Sequence, residues 1–147
     1  MIGLRFRETM SGAYHLSLAP DHDMPMHFTV QASIPSLRSV LGAPVFSIEG
    51  EVHAQGFAEH RALRGTLRID PLREKVIAYD FDFDGDDGKP YAFRGKKTLS
   101  EGNPLVAITV LPGGLHDASG AEVGRALLRF DLRSDIVKFL RSFRLVR

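Results

Sequence analysis

The sequence predicts an all-β fold, an antiparallel meander that closes on itself. The clearest sign is the stretch from Lys75 to Leu99. There Ile77, Tyr79, Phe81 and Phe83 alternate with Ala78, Asp80, Asp82 and Asp84, as a strand with one dry and one wet face requires. Gly85, Asp86, Asp87, Gly88 and Pro90 break the pattern with turn chemistry, and Tyr91, Phe93 and Gly95 resume it, which makes a hairpin. A second sign is that Gly50, Gly65 and Gly95 fall on the inward parity of their segments, where a missing side chain permits the bend of a closing sheet. A third is the shortness of the connections from Ala43 onward, which favours pairing of sequence neighbours.

In chain order, Leu4, Phe6, Glu8 and Met10 share one parity, and Tyr14, Leu16 and Leu18 follow beyond Ser11-Gly12. Ala19 to Pro25 reads as a loop. Met26, Phe28, Val30, Ala32 and Ile34 alternate with His27, Thr29, Gln31 and Ser33, the cleanest strand of the chain. Ser36 to Leu41 with Gly42 after it reads as a short helix with a glycine stop. Phe46, Ile48, Gly50, Val52 and Ala54 make a strand, and so do Leu63, Gly65, Leu67 and Ile69.

After the hairpin, Leu105 to Leu111 is apolar on both parities and is expected to be covered on both faces. Gly113-Gly114 and Asp117 to Gly120 read as a longer loop. Ala126, Leu128 and Phe130 alternate with Arg125, Leu127 and Arg129. Ser134 is placed to cap a second helix carrying Ile136, Val137 and Leu140, and Phe143, Leu145 and Val146 form a closing strand or tail. The whole, residues 1–147, is one domain of roughly nine or ten strands and two short helices. A barrel-like sheet of the lipocalin or calycin kind fits this pattern, with a two-sheet β-sandwich as the alternative.

The totals exclude several classes. A net charge of +1 gives no electrostatic reason to expect nucleic acid as a partner. No apolar run approaches the length of a membrane span, and the first residues hold no apolar stretch of signal-peptide length. With no cysteine there is no disulfide, thiolate metal site or thiol nucleophile. A cytoplasmic location is the expectation.

The motifs are weighed by what their chemistry needs. Asp80-Phe-Asp82-Phe-Asp84-Gly85 matches the opening of an EF-hand loop, but the twelfth position is Tyr91 instead of a bidentate Glu, and the flanks alternate as strands. The acids read better as a solvent face opposite Arg94 and Lys96, or near Arg64 and Arg68. Six histidines are scattered without a zincin spacing. His15, His27 and His53 lie on outward parities and read as solvated, although a fold can bring two of them beside Glu49 or Glu51. No metal site is expected. No nucleophile elbow and no phosphate-binding glycine loop is present, and no catalytic residue is assigned. The basic C-terminal residues decorate an outer face.

The sharpest feature is a conflict between pattern and charge. Glu8 shares the parity of Leu4, Phe6 and Met10, and Lys97 that of Tyr91, Phe93 and Gly95. Both then point inward, where an unpaired charge is costly. They are either a buried pair, or polar contacts at the floor of a cavity beside Tyr79 and Tyr91, or strand ends turned to water. A register pairing Phe81 with Phe93 puts Tyr79 opposite Gly95 and Ile77 opposite Lys97.

The spacing Phe6-x-Glu8-x-Met10-x-Gly12, Tyr79-x-Phe81, Gly88-x-x-Tyr91-x-Phe93-x-Gly95-x-Lys97, Ile108-Thr109-Val110 and Ile136-x-x-Phe139-x-x-Ser142-Phe143 resembles a β domain found in some bacterial flavin oxidoreductases of the glucose–methanol–choline class, those that are cholesterol-oxidase-like. The chain has no dinucleotide fingerprint, so the resemblance implies an accessory domain beside a flavin oxidoreductase partner, with no cofactor of its own.

The expected function is therefore a non-catalytic accessory or small-molecule-binding domain for an apolar, lipid- or sterol-like ligand. Glu8 and Lys97 would anchor the ligand, and Tyr79, Phe81, Tyr91 and Phe93 would line its site. The alternatives are a small-barrel enzyme using Glu8 or a tyrosine as acid or base, and a structural module that forms homo-oligomers.

Overall fold

A computed structural model describes residues 2–40, 42–98, 109–130 and 141–146. Nine strands are formed: β1 Gly3–Leu16, β2 Met24–Ile34, β3 Val45–Ala54, β4 Ala58–Asp70, β5 Val76–Asp84, β6 Pro90–Thr98, β7 Val110–Asp117, β8 Glu122–Arg129 and β9 Arg144–Val146. All pairings are antiparallel and run between sequence neighbours from β2 to β8. Strand β1 pairs with β2 along its length and with β8 from Ser11 to Leu16, so eight strands close into a barrel. The sandwich alternative is set aside by that closure. Strand β9 adds to β1 beside the barrel, Gly3 opposite Val146.

The alternation in the sequence is the alternation between barrel interior and surface. Phe6, Met10 and Tyr14 of β1, Met26, Phe28 and Val30 of β2, and Tyr79, Phe81 and Phe83 of β5 are all buried. The Phe28 ring stands 5.8, 5.2 and 5.8 Å from the rings of Tyr79, Phe81 and Phe93, so the middle of the barrel is ring packed on ring. The β5–β6 register is the expected one: Phe81 faces Phe93, Tyr79 faces Gly95 and Ile77 faces Lys97. On the wet face Asp80 lies opposite Arg94 and Asp82 opposite Arg64.

The inward glycines leave no empty volume. A Cβ on Gly65 would lie 1.9 Å from the Asp80 carbonyl oxygen, and one on Gly50 the same distance from that of Thr29. Neighbouring backbone occupies the place of the side chain, which is how the sheet curls tightly enough to close.

Three local expectations are corrected. The helix at Ser36–Leu41 is a single 3-10 turn, Leu37–Val40, because the backbone is tied elsewhere: Leu37 N–H donates to the Ile2 carbonyl at 2.8 Å and Ser39 N–H to the Ser36 carbonyl at 3.0 Å, and Gly42 follows at φ +94°. The helix placed after Ser134 and the start of the apolar run at Leu105 lie outside the described residues; among the described residues the expected two helices are not borne out. Gly113 and Gly114 belong to β7 and not to a loop. Gly113 pairs with Gly95, and a Cβ there would lie 2.5 Å from the Phe93 ring, so the glycine makes room for that ring.

The two ends of the barrel differ. At one end tight connections join β3 to β4 and β5 to β6, and Phe57 packs over Tyr91 at 4.7 Å. At the other end Phe6 packs against Phe46 and Phe143 at 5.3 and 5.1 Å, and the stretches joining β6 to β7 and β8 to β9 are longer. No helix among the described residues is long and apolar enough to cross a membrane.

Candidate functional site

Glu8 of β1, Tyr79 of β5 and Lys97 of β6 come together inside the barrel, 7%, 2% and 5% exposed. Each is delivered by strand parity: Glu8 sits between Phe6 and Met10 on the inward side, and Lys97 lies two residues beyond Gly95. The Tyr79 hydroxyl donates to the Glu8 carboxylate, 2.7 Å from Oε1 and 2.9 Å from Oε2. Lys97 Nζ donates to Glu8 Oε1 at 3.1 Å and stands 5.1 Å from the centre of the Tyr79 ring. Ionised and buried, the pair meets the condition that makes burial tolerable: opposite charges in contact, with a further hydrogen bond to the carboxylate. Burial, and next the Glu8 carboxylate, hold the Tyr79 phenol well above its ordinary pKa, so it remains a donor.

The arrangement settles where each expected site residue stands. Phe81 and Phe93 stack at 5.0 Å and join the triad through Phe28. Tyr91 stands apart. It is half-buried, and its hydroxyl donates to Asp87 Oδ2 at 2.6 Å in its own hairpin, which pushes the phenol up to about 12. The turn acids Asp86 and Asp87 are likewise used by the hairpin and its neighbours. Asp86 accepts from Glu59 N–H and Arg61, and Asp87 from Lys89 N–H.

A second polar cluster lies outside, and parity alone does not reveal all of it. His27 and His53 are register partners on the outer face of β2 and β3. His60 joins them because the β3–β4 register shifts between Val52 and Ala54 and His60 adopts φ +53°. The ring centres are 5.2 Å apart for His27–His53, 4.2 Å for His53–His60 and 6.5 Å for His27–His60. His60 Nδ1 is 2.6 Å from Glu51 Oε1, whereas His53 Nδ1 is buried with no hydrogen-bond partner. Desolvation first, then His53 and His60, lowers the pKa of His27. The signal for His27 and His53 was in the sequence; that for His60 was not, since a bulge breaks the parity that would have placed it.

His27 and Glu51 also edge an open outer groove of roughly 960 Å³. Its floor is backbone along the row Val30, Gly50, Leu63 and Phe83, and its flanks carry Gln31, Glu49, Arg64 and Asp82.

Fold and site together define a closed antiparallel β-barrel with a buried tyrosine–carboxylate–ammonium set. No family model, curated protein or solved structure matches the chain.

Proposed function

We propose that this chain is a non-catalytic β-barrel that binds a small apolar molecule or serves as an accessory module beside a separate enzyme. The observation that carries the reading is the buried set Glu8–Tyr79–Lys97 within an aromatic interior. Apolar residues of the same volume would stabilise such a core at least as well, so a charged pair there points to a polar anchor. With the middle filled by Phe28, Phe81 and Phe93, a ligand would have to reach the set from the end where Lys97, Phe6 and Phe46 are found, displacing packed side chains. An acid–base role is less well supported, because Glu8 already accepts from both Tyr79 and Lys97. The place beside a flavin oxidoreductase rests on the resemblance of the aromatic–glycine spacing alone.

The test is native mass spectrometry and solvent extraction of detergent-free protein, followed by thermal shift against fatty acids and sterols. A co-purified apolar molecule, or a melting temperature raised by several degrees with one ligand class and not in Lys97→Met, supports the reading. An empty extract and an unmoved melting temperature across the panel overturn it.

A further inference from the structure

We propose that one end of the barrel is a docking surface for an anionic lipid membrane. The inference is independent of the interior reading, because it needs no ligand inside the barrel. It begins from where the exposed apolar side chains stand. Among the described residues seven large hydrophobic side chains are exposed. Five of them, Ile2, Leu37, Val45, Leu72 and Leu145, lie at the end where β1 and β3 begin and β2 and β4 stop. The other two are scattered, Leu127 on the barrel wall and Leu18 at the opposite end. A single exposed leucine needs no explanation, but five gathered at one end do.

Their exposure is built into the backbone. Leu37 N–H donates to the Ile2 carbonyl at 2.8 Å, which ties those two segments together. Val45 is the register partner of Arg68, and Leu145 that of Leu4. Leu72 is held out, 79% exposed, by a turn anchored on Asp70. That carboxylate is buried, accepts from Arg73 N–H at 3.1 Å and lies 3.6 Å from Arg68. The five side chains are thus spread over the start of β1, the β2–β3 connection, the β4–β5 turn and β9. A protein partner would need a separate pit for each tip, whereas a fluid acyl boundary closes round all of them at once.

Charge selects the kind of membrane. Arg5, Arg38, Arg73, Lys75 and Arg144 are exposed at the same end, and none of them makes a salt bridge among the described residues. The carboxylates of that end, Asp70 and Glu74, are both taken up by Arg68, at 3.6 and 3.0 Å. Arg5 and Arg144 are register partners on neighbouring strands, a like-charge placement that costs stability until a counter-charge arrives. At the opposite end the turns carry Asp21, Asp23, Asp86, Asp87, Asp117 and Glu122. The net charge of +1 is therefore a near-cancellation between a basic, apolar end and an acidic one. In the field of an anionic bilayer such a molecule turns its basic end to the surface. Arginine and lysine then meet the headgroups while the leucine tips enter the acyl boundary.

The experiment uses the full chain and mixed phosphatidylcholine–phosphatidylglycerol vesicles. Cosedimentation at low salt is expected to show binding roughly tenfold or more tighter than to pure phosphatidylcholine, with release as salt rises. Leu72→Asp together with Leu145→Asp should weaken it roughly tenfold or more at an unchanged melting temperature, since both side chains are exposed. Leu18→Asp, at the other end, should leave it within about twofold. The chain has no tryptophan, so Leu72→Trp supplies a single probe. Its emission should shift to the blue on the vesicles and be quenched by brominated lipid, and that of Leu18→Trp should not. Absence of binding to anionic vesicles at low salt, binding undiminished in the Leu72 and Leu145 pair, or equal loss in Leu18→Asp overturns the proposal. So does a dimer in sedimentation velocity that the same pair of changes breaks, which makes a second copy the occupant.

Discussion

The barrel carries two clusters of polar side chains, one inside and one outside, and they obey opposite rules. Inside, Glu8, Tyr79 and Lys97 are each bonded to another member, as groups removed from water must be. Outside, three imidazoles stand 4.2–6.5 Å apart and His60 alone contacts the Glu51 carboxylate, with a nitrogen of His53 left unpartnered. The first set is locked, each member held in place by another. The second leaves one imidazole nitrogen without a partner and is edged by an open groove. Burial thus decides how completely each set must satisfy itself, inside by bonds among its members and outside with help from water.

The largest effect should come from breaking the inner set on one side only. Glu8→Ala leaves Lys97 buried and unpaired and should cost about 3–5 kcal/mol. In scanning calorimetry that is a fall in Tm on the order of 10 °C. The double change Glu8→Leu with Lys97→Met removes both charges and should recover most of the loss, to within about 1–2 kcal/mol of the parent. If the double variant is as unstable as the single, the set is not a self-contained pair. Next in size, Tyr79→Phe removes the hydroxyl donor from a buried carboxylate and should cost about 1–3 kcal/mol by urea denaturation.

The outer set should act through pH. The folded pKa of His27 lies below its ordinary 6.5, so as pH falls the unfolded chain takes up the proton first. The associated stability is intact above that value and is lost as pH falls through the folded pKa. His27→Gln should flatten this part of the stability–pH curve while leaving stability at pH 8 almost unchanged. The smallest effect is spectroscopic. Asp87→Asn removes the carboxylate that holds Tyr91 near about 12, and an ultraviolet titration should find that phenol ionising nearer its ordinary value of 10.0.

Much of this architecture was legible in the residues. Period-two alternation gave the strands, the inward side of Glu8 and Lys97, and the pairing of Phe81 with Phe93, because a half-buried strand has only one register that keeps its aromatics dry. The inward glycines marked where the sheet curls. What escaped were features set by neighbours distant in sequence. Gly113-Gly114 has loop composition, yet lies in a strand because the Phe93 ring needs the space. Ser36 to Leu41 has a helix pattern, but Leu37 N–H is drawn to the Ile2 carbonyl of the neighbouring segment and only one tight turn forms. Tyr91 shares the parity of Phe93 but lies toward the other end, so parity named its side of the sheet and not its depth. His60 was hidden by a bulge, which no periodicity can forecast.

The short strand β9 holds Val146 against Gly3, so the two tails of the described chain leave the barrel side by side. Two segments held this close can be bridged by a short linker without strain on the barrel. For the same reason the chain can be joined there and reopened at the exposed turn Gly85–Lys89, giving a permuted version whose closed wall is unchanged.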